Sequence, residues 1–128
     1  MKFNSLIPEL SVTNINKSKE FYIKLGFKIM YERIDDKFCF LELEGNQIMI
    51  QEENNNWNVG KMEYPYGRGI NISMSIKNVE QLYHHIKNQN LTIFKELETH
   101  HYQVNDKVYD DLEFLIQDLD GYLLRFNS

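Results

Sequence analysis

The stretch "INISMSI", residues 70–76, alternates without a break: Ile70, Ile72, Met74 and Ile76 fall on one parity, Asn71, Ser73 and Ser75 on the other. A strand with that period turns an apolar face one way and a small polar face the other. Residues 6–12 repeat the pattern, with Leu6, Pro8, Leu10 and Val12 set against Ile7, Glu9 and Ser11. Each segment runs into an asparagine, Asn14 or Asn78, placed to cap a helix start. The apolar spacing then becomes helical, through Ile15, Ser18, Phe21, Tyr22 and Leu25 in one copy and Val79, Leu82 and Ile86 in the other.

Three strand signals follow each helix. In the first half they are "FKIMYER", "KFCFLEL" and "QIMIQEE", with "IDD" and "EGN" as turns. In the second they are "LTIFKELE", "LEFLIQ" and "YLLRF", with "QVND" and "DLDG" as turns. The chain therefore reads as an internal repeat of β-α-β-β-β. The expected class is α+β: two tandem modules forming a curved mixed sheet around a groove. One domain spans 1–128, with module one at 5–53, a linker at 54–67 and module two at 68–128. The apolar parities go under the helices. The opposite parities line the groove and comprise Ile7, Glu9, Ser11, Met49, Gln51, Asn71, Ser73, Ser75, Leu123 and Arg125, joined by Phe38, Phe40, Glu113 and Leu115.

Composition narrows the function. The 128 residues carry 42% hydrophobic and 26% charged side chains, as a globular domain does. Apolar runs are too short to span a membrane. No export signal is visible, and the single cysteine, Cys39, excludes an internal disulfide, so a reducing cytoplasm is expected. Cys39 in "KFCFLEL" reads as a small buried hydrophobe. A net charge of −5 argues against nucleic acid and suits a cationic ligand.

Catalytic patterns are thin. Ser73 and Ser75 have no histidine predicted beside them, so no triad assembles. His84–His85 and His100–His101 are adjacent pairs whose members point apart, and metal binding by them is not expected. "GRG" at 67–69 lacks the spacing and following helix of a phosphate loop. Asp110 and Asp111 read as a solvated turn. Glu9 with Arg125 reads first as an ion pair across the groove, and a carboxylate base, from Glu9 with Glu113 or Arg125 close by, is the second reading.

The paired modules, with "VTNINKSKEFYIKLGF" and "DLDGYLLRF", resemble the vicinal oxygen chelate superfamily of glyoxalases, extradiol dioxygenases and bleomycin-resistance proteins. "LIPELSVTNI", "YER" and "YPYGRGIN" bring the likeness closest to the bleomycin-resistance branch. The resemblance covers essentially the whole chain. It implies a divalent metal held by side chains on the first and last strand of each module in catalytic members. Those positions here carry Ile7, Met49, Asn71 and Arg125, which are not metal donors of the required kind. The resemblance thus implies binding rather than catalysis, with no cofactor and no metal. A homodimer would sequester a bleomycin-like or other cationic or aromatic small molecule. The ligand residues expected are Glu9, Phe38, Phe40, Gln51, Trp57, Tyr64, Asn71, Ser73, Glu113 and Arg125. A lyase, isomerase or dioxygenase of the same superfamily remains the alternative, and a peptide- or protein-binding module is a third.

Overall fold

A computed structural model describes residues 1–128. The chain falls into two compact units, Met1–Tyr66 and Gly67–Ser128. The first contains β1 (Glu9–Val12), α1 (Ile15–Leu25), β2 (Lys28–Arg33), β3 (Phe38–Leu43) and β4 (Asn46–Glu52). The second contains β5 (Asn71–Ser75), α2 (Val79–Asn88), β6 (Ile93–Val104), β7 (Lys107–Gln117) and β8 (Leu123–Asn127). Each is a β-α-β-β-β module. The sheet orders β1-β4-β3-β2 and β5-β8-β7-β6 are the same arrangement twice. In each, the first strand pairs in parallel with the last and the other neighbours are antiparallel. No helix is long and apolar enough to cross a membrane.

Both helices start where their caps require. Asn14 Oδ1 accepts the Lys17 N–H and Asn78 Oδ1 the Gln81 N–H, each at 3.0 Å. α1 stops at Gly26, whose φ of 113° returns its N–H to carbonyls of the last turn. The faces turned toward the helices form the cores. Val12, Tyr22, Leu25, Leu41 and Ile50 are fully enclosed in the first module, as are Ile86, Phe114, Ile116, Leu124 and Phe126 in the second. Cys39 is enclosed with them. Burial, with Glu32 nearby, pushes its thiol up to about 11, so it behaves as a hydrophobe and not as a nucleophile.

The "DLDG" turn is held by Asp118. Its Oδ1 accepts the N–H groups of Asp120 at 3.0 Å and Tyr122 at 2.9 Å from a nearly enclosed position. Gly67 of "GRG" is likewise structural. A Cβ there would sit 2.7 Å from the Tyr122 ring, and its φ of +71° disfavours a side chain.

Several details depart from expectation. Leu6 and Ile70 are exposed, and Pro8 is half-buried, because β1 and β5 begin only at Glu9 and Asn71 and no ladder holds the alternation before them. α2 buries Tyr83 more deeply than Leu82. The β6–β7 hairpin is far longer than "LTIFKELE" and "LEFLIQ" indicate, so Asp110 and Asp111 are strand residues and not a turn.

Replacing either capping asparagine, Asn14→Ala or Asn78→Ala, removes an acceptor that the helix start cannot replace. Each is expected to cost about 1 kcal/mol in denaturant unfolding, with no change in the native far-ultraviolet circular dichroism.

Candidate functional site

Directly paired residues share a sheet face, so the strand registers show which side chains stand together. In the first sheet Glu9 pairs with Met49, Ser11 with Gln51, Phe38 with Gln51 and Phe40 with Met49. In the second, Asn71 pairs with Leu123, Ser73 with Arg125, Leu115 with Arg125 and Glu113 with Asn127. The strand residues assigned to the non-helical faces by parity lie there. Ile7 precedes β1.

The first module uses its face largely for packing. Phe40 stacks on Tyr31 at 5.3 Å between centroids and meets Phe3 edge-on, while the Arg33 guanidinium covers the Phe38 ring at 3.9 Å. Phe38 and Phe40 are buried, and the Gln51 amide donates to the Asp36 carbonyl at 3.1 Å. Glu9 is exposed. A cavity of about 300 Å³ beside the start of α1 is lined by Asn14, Lys19, Glu32, Lys37, Phe38 and Glu52 among others. Glu52 anchors that helix start, accepting the Ile15 N–H at 3.1 Å and the Lys37 ammonium at 2.9 Å. The Lys37 bond, then the Ile15 N–H, holds its carboxyl below the usual range.

The second module carries the larger cavity, about 460 Å³, lined by Ser73, His100, His101, Tyr102, Asp111, Glu113, Arg125 and Asn127. Three expected ligand residues, Ser73, Glu113 and Arg125, meet here. Asn71 is exposed at the start of β5 and does not line the cavity, while Trp57 and Tyr64 stand exposed in the segment before Gly67. Tyr66 is buried, with its hydroxyl donating to Glu53 at 3.0 Å.

On the cavity floor Asn127 Nδ2 donates to Ser73 Oγ at 2.8 Å. Arg125 reaches Glu113 at 3.7 Å, so the second module supplies its own partner for this arginine. Its Nε is buried without a hydrogen-bond partner. His100 Nε2 lies 2.9 Å from Glu98 Oε1 and 3.3 Å from Glu113 Oε2. The Lys95 bond, and then His100, lowers the Glu98 carboxyl below the usual range.

A histidine therefore lines the same cavity as Ser73, contrary to the reading of the sequence. The signal lay in "QVNDKV". A two-residue turn at Asn105–Asp106 pairs Val104 with Lys107, and counting back sets His100 opposite Asp111 and Glu98 opposite Glu113. Ser73 makes no triad even so, because its hydroxyl accepts from Asn127 and the His100 contacts are carboxylates.

No protein-family model matches the chain, and no curated protein matches it. Among solved structures, a superfamily member from Vibrio splendidus 12B01 is 32% identical over 93% of this chain and 92% of that one, at TM-score 0.44. Its sequence identity, not its superposition, decides the assignment. The chain belongs to the glyoxalase/bleomycin resistance protein/dioxygenase superfamily. The fold is shared with TioX from Micromonospora sp. ML1 (16% identical, 98% of each chain, TM-score 0.75). It is shared also with a superfamily protein from Alicyclobacillus acidocaldarius (19% identical, 97% of this chain and 89% of that one, TM-score 0.69).

The metal that catalytic superfamily members hold does not fit the corresponding residues here. Ile7 offers no lone pair, Met49 only a soft thioether and Asn71 a neutral amide, while Arg125 brings a cation already engaged with Glu113. No step through such a metal follows.

Glu52 supplies a pH test. Its lowered carboxyl means its stabilising contribution is complete above the unfolded-state pKa and is lost as the pH falls through the folded-state value. Glu52→Gln is expected to destabilise by about 1 kcal/mol at neutral pH. The difference from the parent should vanish in acid, as read by denaturation midpoints across the acid range.

Proposed function

We propose that this protein is a small-molecule-binding protein of bleomycin-resistance type, which sequesters a bleomycin-like or other cationic or aromatic ligand without the superfamily's metal. The observation that carries this reading is the second-module cavity. Glu113 and Asp111 offer anionic anchors, Arg125 and Asn127 offer donors, and Tyr102 offers an aromatic wall. A few directed polar groups with aromatic surface are what a small organic cation requires. The net charge of −5 favours its approach. The four positions unable to hold a metal agree with binding rather than turnover. Homodimerisation, with a partner supplying further walls, and a cytoplasmic location are parts of the same proposal.

A second reading, a lyase or isomerase using a carboxylate base, draws support from the Glu113–His100 contact. In that case Glu113→Gln would abolish turnover while leaving ligand binding measurable.

Calorimetric titration with metal-free bleomycin, in the presence of chelator, tests the binding reading. Saturable heat and a change in emission from exposed Trp57 are expected, with Glu113→Gln weakening binding by about ten-fold or more. Absence of both signals at high micromolar ligand removes bleomycin as the ligand. Light scattering reads the dimer: a monomer at all concentrations would remove that part.

A further inference from the structure

The geometry points to a divalent-metal site of the zinc class on the β6–β7 hairpin, formed by Glu98, His100 and Glu113 and separate from the superfamily's metal positions. One ligand atom from each of the three residues lies within 4.8 Å of the others. Around an ion with bonds of about 2.0–2.2 Å, donors stand about 3 Å apart. The separations of 2.9 and 3.3 Å from His100 Nε2 to the two carboxylates already have that size.

The register makes the convergence a property of the backbone. Glu98 and Glu113 are direct cross-strand partners, and His100, two residues along, shares their face. Its own partner, Asp111, lines the cavity with it. The cluster is also poorly closed as a hydrogen-bonded group. Both carboxylates approach the same ring nitrogen, which carries at most one proton and can serve only one of them well. An ion at their centre engages all three. Glu113, with a side chain only 12% exposed, fixes the inner wall, whereas Glu98 and His100 remain accessible at 41% and 42%.

Imidazole with two carboxylates is a borderline, nitrogen–oxygen donor set, which suits zinc, nickel or cobalt better than calcium or a soft ion. Lys95, 3.0 Å from Glu98, and Arg125, 3.7 Å from Glu113, compete for the carboxylates, so micromolar affinity is expected. Three protein donors leave coordination positions for a ligand's own donor atoms.

The test uses the full chain stripped with chelator and then dialysed free of it, titrated with zinc by calorimetry and with cobalt(II) by visible absorption. One equivalent should bind, with a cobalt spectrum of nitrogen–oxygen type. His100→Ala and, independently, Glu98→Gln should each weaken zinc by about ten-fold or more. His84→Ala, on α2, should bind as the parent does, and all variants should unfold at the parent's temperature in chelator. A parent that takes up no ion overturns the proposal, as does unchanged affinity in both His100→Ala and Glu98→Gln. Because the bleomycin titration is run in chelator, its outcome is independent of this one.

Discussion

The register of the β6–β7 hairpin sets most of what is chemically distinctive about the second module. Two residues, Asn105 and Asp106, close the turn, and Asn105 takes the left-handed conformation (φ 56°) that such a turn needs. From there the ladder runs back through Tyr102–Tyr109 and His100–Asp111 to Glu98–Glu113, with bulges between Ile93 and Glu98. A slip of one residue would exchange the faces of every side chain on the strand. It would turn His100 and Glu98 away from Glu113 and Arg125. Stacking of Tyr102 on Tyr109, at 5.8 Å, reinforces the pairing near the turn.

The same topology serves the two modules differently. In both, one face is given to a capped helix and a closed apolar core. In the first module the other face is filled by Phe3, Tyr31, Phe38 and Phe40, with Arg33 laid over an aromatic ring. In the second it carries Ser73, Glu113, Arg125 and Asn127 around an open cavity. Large flat side chains close a sheet face, whereas short polar and charged ones cannot cover it and leave room for a ligand. A single scaffold thus yields one module that packs aromatic rings on that face and one that leaves a polar cavity there.

Arg125 illustrates how a superfamily position changes its meaning. A metal donor there would need a lone pair, but a guanidinium supplies only donors and a permanent charge. It pairs with Glu113, which in turn stands beside His100. The carboxylates that line the second module's cavity, Asp111 and Glu113, thus lie on β7, facing His100 of β6, and not on β5 or β8.

Local patterns sufficed for the elements, the repeat, the two asparagine caps and the parity of each strand, because these depend on periodicities of 2 and 3.6 and on single capping atoms. The chemistry of Cys39 was legible for the same reason, since both flanks of "KFCFLEL" are apolar. Where a strand begins and ends was less so. Leu6 and Ile70 look like core residues until the ladder is seen to start after them, and "ETHHYQV" looks too polar to be a strand until its partner is in place. Tertiary pairing alone decided that Phe40 packs on Tyr31 and Phe3, that Asn71 stands outside the second module's cavity, and that His100 meets two glutamates. Those outcomes depend on which residues stand opposite one another, and hydrogen-bond register is a relation between distant segments that neither segment encodes by itself.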